Sequence, residues 1–293
     1  MERVKVLKTY KLYIGGKFPR TESGRYYKLD DAKGSTIANI CLSSRKDFSN
    51  AVVEARKAFQ GWSARTHFNR SQIIYRMAEM VEGRKAQFVD ELIRLGLSKS
   101  KAEQEVDQSI DRIVYYAGWC DKYQQLFSTV NPVASSHFNF SVLEPMGVIA
   151  AFAPEDSPLL GLLSVILPAI VGGNAVIVLA AEQYPTVAIT LAEVLATSDL
   201  PGGVINILTG QRNELFEHMS THMDVNAFVY TGEDAAQLKS IKENAALNVK
   251  RVVTFEGDWL GSETHNPYWI KALQEVKTTW HPIENIGGAT GGY

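Results

Sequence analysis

Cysteine is almost missing from this chain: only Cys41 and Cys120 occur in 293 residues. Two thiols cannot build a disulfide framework, and no CxxC or Cys/His cluster offers a structural metal site, a pattern that suits a reducing compartment. An excess of one charge is missing too, with 30 basic against 32 acidic residues and a pI near 6.3. No global field would recruit nucleic acid or an anionic membrane, so the expected partners are proteins and small molecules. The opening MERVKVLKTY alternates charged with apolar groups and lacks the uninterrupted apolar stretch of a signal peptide. The one strongly apolar span, Pro158 to Val178, is broken by Pro168, Gly172 and Gly173, as in a helix, turn and strand of a buried core. A soluble cytoplasmic protein is expected. There is no GxGxxG, P-loop or HExxH motif.

What is present is a core-forming composition, 45% hydrophobic, enough for one large domain or two modest ones. Aromatic and β-branched residues around Gly15 and Gly16, in the segment from Tyr10 to Phe18, predict a short strand entering a turn. Phe48, Val52, Ala55, Phe59 and Trp62 recur at helical spacing, with Ser44 or Asp47 available as an N-cap. A second helix is expected from about Arg70, with Ile73, Met77, Val81, Phe88 and Leu92 near one face. A third carries Val106, Ile110, Ile113, Ala117 and Cys120. All three are amphipathic, so each must lean on another element.

The rhythm then changes. Short apolar runs at Gly147 to Phe152, Ala175 to Ala180, Gly203 to Leu208, Asn226 to Thr231 and Arg251 to Glu256 read as strands. Helices starting near Pro158, Pro185, Arg212 and Asp234 fit between them. This alternation predicts a doubly wound α/β fold with a parallel sheet, whose ligand crevice lies at the carboxyl ends of the strands. His218 and His222, four apart with Asp224 near, could share a metal, but no third ligand is suitably spaced and an exposed helix face explains them better. Ser98 to Lys101 spells SxxK, which reads as a polar helix entry, and the charges from Arg84 to Arg94 read as the wet side of a helix. No metal site is expected.

These elements in this order resemble the aldehyde dehydrogenase superfamily along most of the chain. The similarity is carried by LYIGGKF, DFSNAVVEARKAFQGW, YYAGWCDKY, EPMGVIAAFAP, LPAIVGGNAVIV through Glu182, LPGGVINILTG and the late LQEVKTTW. The resemblance implies a doubly wound, Rossmann-like NAD(P)-binding sheet with N-terminal helices and a small β oligomerisation element. On that basis residues 1–20 are expected to give the first strand of the oligomerisation element and 21–127 the helical part of the nucleotide-binding domain. Residues 128–143 would supply oligomerisation strands, 144–260 the Rossmann-like core, 261–283 a further oligomerisation strand and 284–293 a flexible tail.

The departures from the family are chemical. The family attacks its aldehyde with a cysteine thiolate, steadies the alkoxide with donors and uses a carboxylate as general base. Here the chain passes from the strand ending near Glu256 to LQEVKTTW within about twenty residues, and no cysteine follows Cys120. The expected reading is loss of the catalytic domain. Where the family has an asparagine donor after the first strand, this chain has Asp156, an acceptor only. The general-base position falls on Phe255, with Glu256 one residue away and so on the opposite face of a strand. No catalytic residue is assigned; Asp156, Phe255 and Glu256 are degenerate positions.

Among the cofactor contacts the resemblance implies, Glu182 is retained for the adenosine ribose, while Leu179 replaces a lysine. Gly210 and Gly232 remain as weak cofactor-binding positions. Glu233, Asp234 and Gln237 stand where the family places small residues against the pyrophosphate, and would repel or crowd it. Cofactor is therefore expected to be absent, with NAD or NADP as the lesser alternative. The expected function is a non-catalytic structural or regulatory subunit partnering a full-length aldehyde dehydrogenase, since in the family the terminal strand pairs with a neighbour's catalytic-domain sheet. An apolar strand carrying Val276 and Trp280 is an aggregation hazard unless covered. Two alternatives stand beside it. One is a self-associating scaffold or nucleotide sensor. The other is an NAD(P)-dependent oxidoreductase with a site rebuilt around Glu155, Asp156, Glu182 and Glu233.

Overall fold

The computed structural model describes Val4 and residues 6–283, so the expected tail at 284–293 lies outside the described residues. Its centre is a parallel sheet whose strands are apolar along their whole length because both faces are covered. They are β6 (Val148–Phe152), β7 (Ala175–Leu179), β8 (Ile205–Leu208), β9 (Ala227–Tyr230) and β10 (Arg251–Thr254), in the order β10-β9-β6-β7-β8. The expected doubly wound sheet is present.

Alternation along the strands sends side chains to two separate cores. Ile149, Ala151, Val176, Val178, Ile205 and Val229 point to one side, against helices α2 (His67–Glu82), α4 (Lys99–Ala117), α6 (Leu160–Val171) and α7 (Pro185–Leu195). Val148, Ala150, Phe152, Ile177, Phe228 and Tyr230 point to the other, against α1 (Arg45–Ser63), α8 (Arg212–Thr221) and α9 (Ala235–Ala246). Helix α1 starts with a reciprocal capping box between Ser44 and Asp47, which satisfies two otherwise orphaned amides. The single helix expected from Arg70 is two, because α2 stops at a Gly83 cap and α3 (Lys85–Arg94) starts afresh. Ser98 caps α4 through the amide of Lys101. Helix α5 (Tyr123–Phe127) leads out of this layer.

Two smaller sheets flank the core. In the first, β1 (Lys8–Tyr10) runs parallel to β3 (Thr36–Cys41), which also pairs with β2 (Tyr26–Asp30). The second is antiparallel, in the order β11-β5-β4, from β4 (Thr129–Asn131), β5 (His137–Pro145) and β11 (Gln274–Pro282). The expectation that residues 1–20 share a sheet with the late strand is therefore corrected. Gly15 and Gly16, at φ +61° and +77°, turn the chain back after Tyr13. Tyr13 exchanges two backbone hydrogen bonds with Ile207, of 2.9 and 2.8 Å, and so covers the free edge of β8. A Cβ on Gly16 would stand 2.8 Å from the Cα of Gly202, so only glycine fits that approach.

The late strand also differs from its expectation. It is already paired on one side, over nine residues from Gln274 opposite Pro145 to Pro282 opposite His137. Between β10 and β11 the chain makes only a short 3-10 turn at Ser262–Thr264 and helix α10 (Tyr268–Ala272).

The connection from α9 to β10 carries strain. Val249 holds φ +56°, a left-handed conformation costly for a β-branched residue, and is exposed. The turn brings Lys250 inward, where its Nζ donates to the carbonyls of Ser220 (2.6 Å) and His222 (3.0 Å) at the end of α8. Val249→Gly is expected to raise the stability by about 1 kcal/mol, read from the urea midpoint. Burial pulls the Lys250 ammonium from 10.5 down to about 8. Between these values the unfolded chain binds more protons than the folded one, so stability rises with pH across that window. Thermal melting from pH 7.5 to 10.5 should show this rise, and Lys250→Met should remove it.

Candidate functional site

The strand order reverses between β6 and β9, and there, at the carboxyl ends of β6, β9 and β10, lies a cleft of about 710 Å³. The loop after β6 forms one wall. Glu155 sits between a cation and an amide: its carboxylate pairs with Arg212 at 3.0 Å and accepts the Glu182 backbone N–H at 2.9 Å. Burial pushes the Glu155 carboxyl above its ordinary value, and Arg212 pulls it partly back. Asp156 turns toward the late linker, where its Oδ1 accepts from the indole of Trp259 at 3.2 Å.

Arg212 is the residue that organises this wall. It opens α8, yet its guanidinium reaches across to β6, donates to the Ala153 carbonyl and lies 5.2 Å from the centre of the Phe152 ring. Glu182 meets the same residue from the other side, since its Oε1 accepts the Arg212 backbone N–H at 2.7 Å. The carboxylate the resemblance assigned to a ribose is thus a cap on α8. Sequence reasoning placed Arg212 only as a helix start. The available signal was a cation in a first helical turn, where the macrodipole disfavours positive charge unless acidic groups surround it.

The opposite wall is the turn from β9 into α9. Asp234 Oδ1 accepts from the amides of Ala236 (2.9 Å) and Gln237 (3.1 Å), the donors that an anion at this helix end would use. Tyr230 donates its hydroxyl to the Asp234 carbonyl at 3.1 Å. That phenol lies where a Cβ of residue 232 would come within 2.5 Å of its oxygen, which accounts for Gly232 by packing alone. Glu233 and Gln237 are exposed or half-exposed beside it. Gly210 lies away from these walls: a Cβ there would meet the Ser43 amide at 3.3 Å, under the segment leading into α1.

At the base, Phe255 and Glu256 follow the end of β10. Both line the cleft, Phe255 as a buried ring stacked on Trp269 with centres 4.3 Å apart and Glu256 as an exposed carboxylate. The structure therefore brings Asp156, Glu233, Phe255 and Glu256 to one cleft. Five carboxylates, those of Glu155, Asp156, Glu233, Asp234 and Glu256, line it against the single cation Arg212. Such a field repels an anion.

Neither thiol lines this cleft. Cys41 is buried in the core beside α1. Cys120 is buried below α4, its Sγ donating to the Tyr116 carbonyl, and burial pushes the thiol up to about 12. His218 and His222 lie edge to face at 5.6 Å and both contact the Phe48 ring. Among the described residues no group of three metal-ligating side chains converges, and no helix is long and apolar enough to cross a membrane.

A doubly wound sheet with its crevice at the β6/β9 reversal defines the class of α/β folds that in general hold nucleotides at that point. The chain belongs to the aldehyde dehydrogenase family, whose family model matches residues 18–257. DhaS of Bacillus subtilis (strain 168) is 33% identical over 250 residues, covering 83% of this chain and 50% of DhaS. An aldehyde dehydrogenase of Davidiella tassiana is 30% identical over 276 residues, or 92% of this chain and 53% of that protein. PnpE from Pseudomonas sp. WBC-3, solved in complex with nicotinamide adenine dinucleotide, superposes with a TM-score of 0.80 at 25% identity, over 85% of this chain and 51% of PnpE. This chain thus spans about half the length of these proteins.

Arg212→Ala is expected to lower stability by about 1–2 kcal/mol, because Glu155 loses its counter-charge and the Ala153 carbonyl its donor. Arg212→Lys should recover only part of this, since one ammonium cannot serve both sites with a fork's geometry. Urea denaturation of the two variants checks the order.

Proposed function

We propose that this chain is a non-catalytic subunit, structural or regulatory, that assembles with a full-length aldehyde dehydrogenase in the cytoplasm. The observation that carries the reading is chemical: the cleft offers no thiol nucleophile. Its two thiols are buried elsewhere, and a thiol held near 12 supplies almost no thiolate at neutral pH. The carboxylates at the cleft have no partner group to activate, and Asp156 would oppose a developing alkoxide rather than donate to it.

The groups that would hold a dinucleotide do not fit one. A pyrophosphate needs free amides at a helix start, and Asp234 already occupies those of α9. A ribose needs a well-placed acceptor, and one oxygen of the Glu182 carboxylate is held by the Arg212 amide. The same geometry argues against an NAD(P)-dependent oxidoreductase with a rebuilt site.

Partnership is supported by the edge of the small sheet. Among the described residues β11 pairs with a strand, β5, on one side only; on the other, Arg251 takes the Gln274 carbonyl and the backbone groups of alternate residues beyond it face outward. Val276 and Trp280 on it are 61% and 57% exposed, and an edge of this length invites another strand. Two measurements test the reading. Calorimetric titration with millimolar NAD and NADP should give flat heats. Co-expression with a tagged full-length aldehyde dehydrogenase of the same organism should recover both chains in fixed ratio. Reduction of NAD by the purified protein given acetaldehyde would overturn the non-catalytic role, and recovery of the tagged enzyme alone would overturn the partnership.

A further inference from the structure

The outer edge of β11 is self-complementary, and we propose that two copies of this chain join through it, strand β11 antiparallel to its own copy, about a two-fold axis at Thr278. The result is a six-stranded sheet continuous across both chains. This goes beyond pairing with a full-length relative: it states what covers the edge when no such relative is present, and it does not rest on that reading.

The faces of the strand limit the choice of register. Opposition of Val276 to Leu143, Thr278 to Ser141 and Trp280 to Asn139 puts these three β11 residues on one face of the sheet. Glu275, Lys277, Thr279 and His281 lie on the other. A two-fold axis perpendicular to the sheet keeps each face on its own side, so the axis must pass through a residue and not between two. Centred on Thr278, the seven residues from Glu275 to His281 find a partner, while at each end Gln274, whose carbonyl already accepts from Arg251, lies opposite Pro282, which has no amide to donate. Any other centre leaves residues at one end unpaired, and a centre on Lys277 opposes that lysine to itself.

The register centred on Thr278 also matches chemistry. Val276 of each chain opposes Trp280 of the other, an aromatic ring against a β-branched side chain, and both are now largely exposed. Glu275 opposes His281, so a carboxylate meets an imidazole on the face away from the core. Arg251 holds Glu275 at the sheet edge through a 3.1 Å ion pair. Thr278 meets Thr278 at the axis, where its hydroxyl already bonds to Ser141 at 2.8 Å. The one unfavourable neighbour is Lys277, which lies diagonal to its own copy. Glu144 draws that lysine back toward β5 at 2.9 Å. A closed two-fold of this kind uses up both open β11 edges and leaves none to propagate.

The experiment is site-directed cross-linking of the full chain, with sedimentation to give the mass. Directly opposed antiparallel residues have Cα atoms about 4.5–5.5 Å apart, inside the disulfide range of about 4.4–6.8 Å. Under mild oxidation Thr278→Cys should form a covalent dimer about tenfold faster than Glu275→Cys, whose copies would lie roughly 20 Å apart along the strands. Glu275→Cys mixed with His281→Cys should cross-link, although neither does so alone. The native thiols do not interfere, since Cys41 and Cys120 are both buried. The unmodified protein should sediment at twice 32.5 kDa. A monomeric mass, or a dimer in which Thr278→Cys links no faster than Glu275→Cys, overturns the proposal. Either result leaves the co-expression outcome with a full-length enzyme unaffected.

Discussion

The architecture depends on one buried cation. Arg112 stands on α4 without a carboxylate partner, and its guanidinium donates to the carbonyls of Trp259 and Thr264 at 3.0 Å each and to the Thr264 hydroxyl at 2.9 Å. The Ser164 hydroxyl on α6 completes its partners. Desolvation lowers its affinity for the proton, and the acceptors gathered around its two terminal nitrogens make such a burial tolerable, although its Nε is left without a partner. Those acceptors are mostly the backbone of the short passage between β10 and β11. Neighbouring hydroxyls extend the grip, with Tyr115 donating to the His265 carbonyl at 2.8 Å and Tyr116 to that of Asn266 at 3.1 Å. The passage is thereby held against the helical layer, and β11 is delivered to β5 in register.

The same passage reshapes the crevice. Trp259 and Trp269 pack with Phe255 under the cleft, and the Trp259 indole takes up Asp156. On the other side Arg212, Glu155 and Glu182 satisfy one another, and Asp234 caps its own helix. Several of the groups at the crevice thus bond within the chain, although the Arg212 Nε finds no partner.

Much of this was legible beforehand. The five parallel strands were plain because fully buried strands read as uninterrupted apolar runs, and the crossover helices because proline and polar caps punctuate them. The loss of donors at Asp156 and the crowding at Asp234 could be read from residue type alone, since a carboxylate accepts and cannot donate at neutral pH. The break between α2 and α3 was hidden because Gly83 interrupts a periodicity that resumes almost in phase. The fate of the N-terminal strand was hidden because which edge a short strand covers depends on elements far along the chain.

The sequence by itself determined the layered α/β core and the residue types at its crevice, because periodicity and side-chain type are local properties that survive whatever the chain does elsewhere. Only the tertiary structure decided that Arg212 would fill the crevice wall, that Glu182 would cap a helix, and that β11 would return to β5. Each of these joins residues tens to more than a hundred positions apart. Such pairings are chosen by which buried charges and backbone groups must be satisfied at once, and no stretch of sequence carries that condition alone.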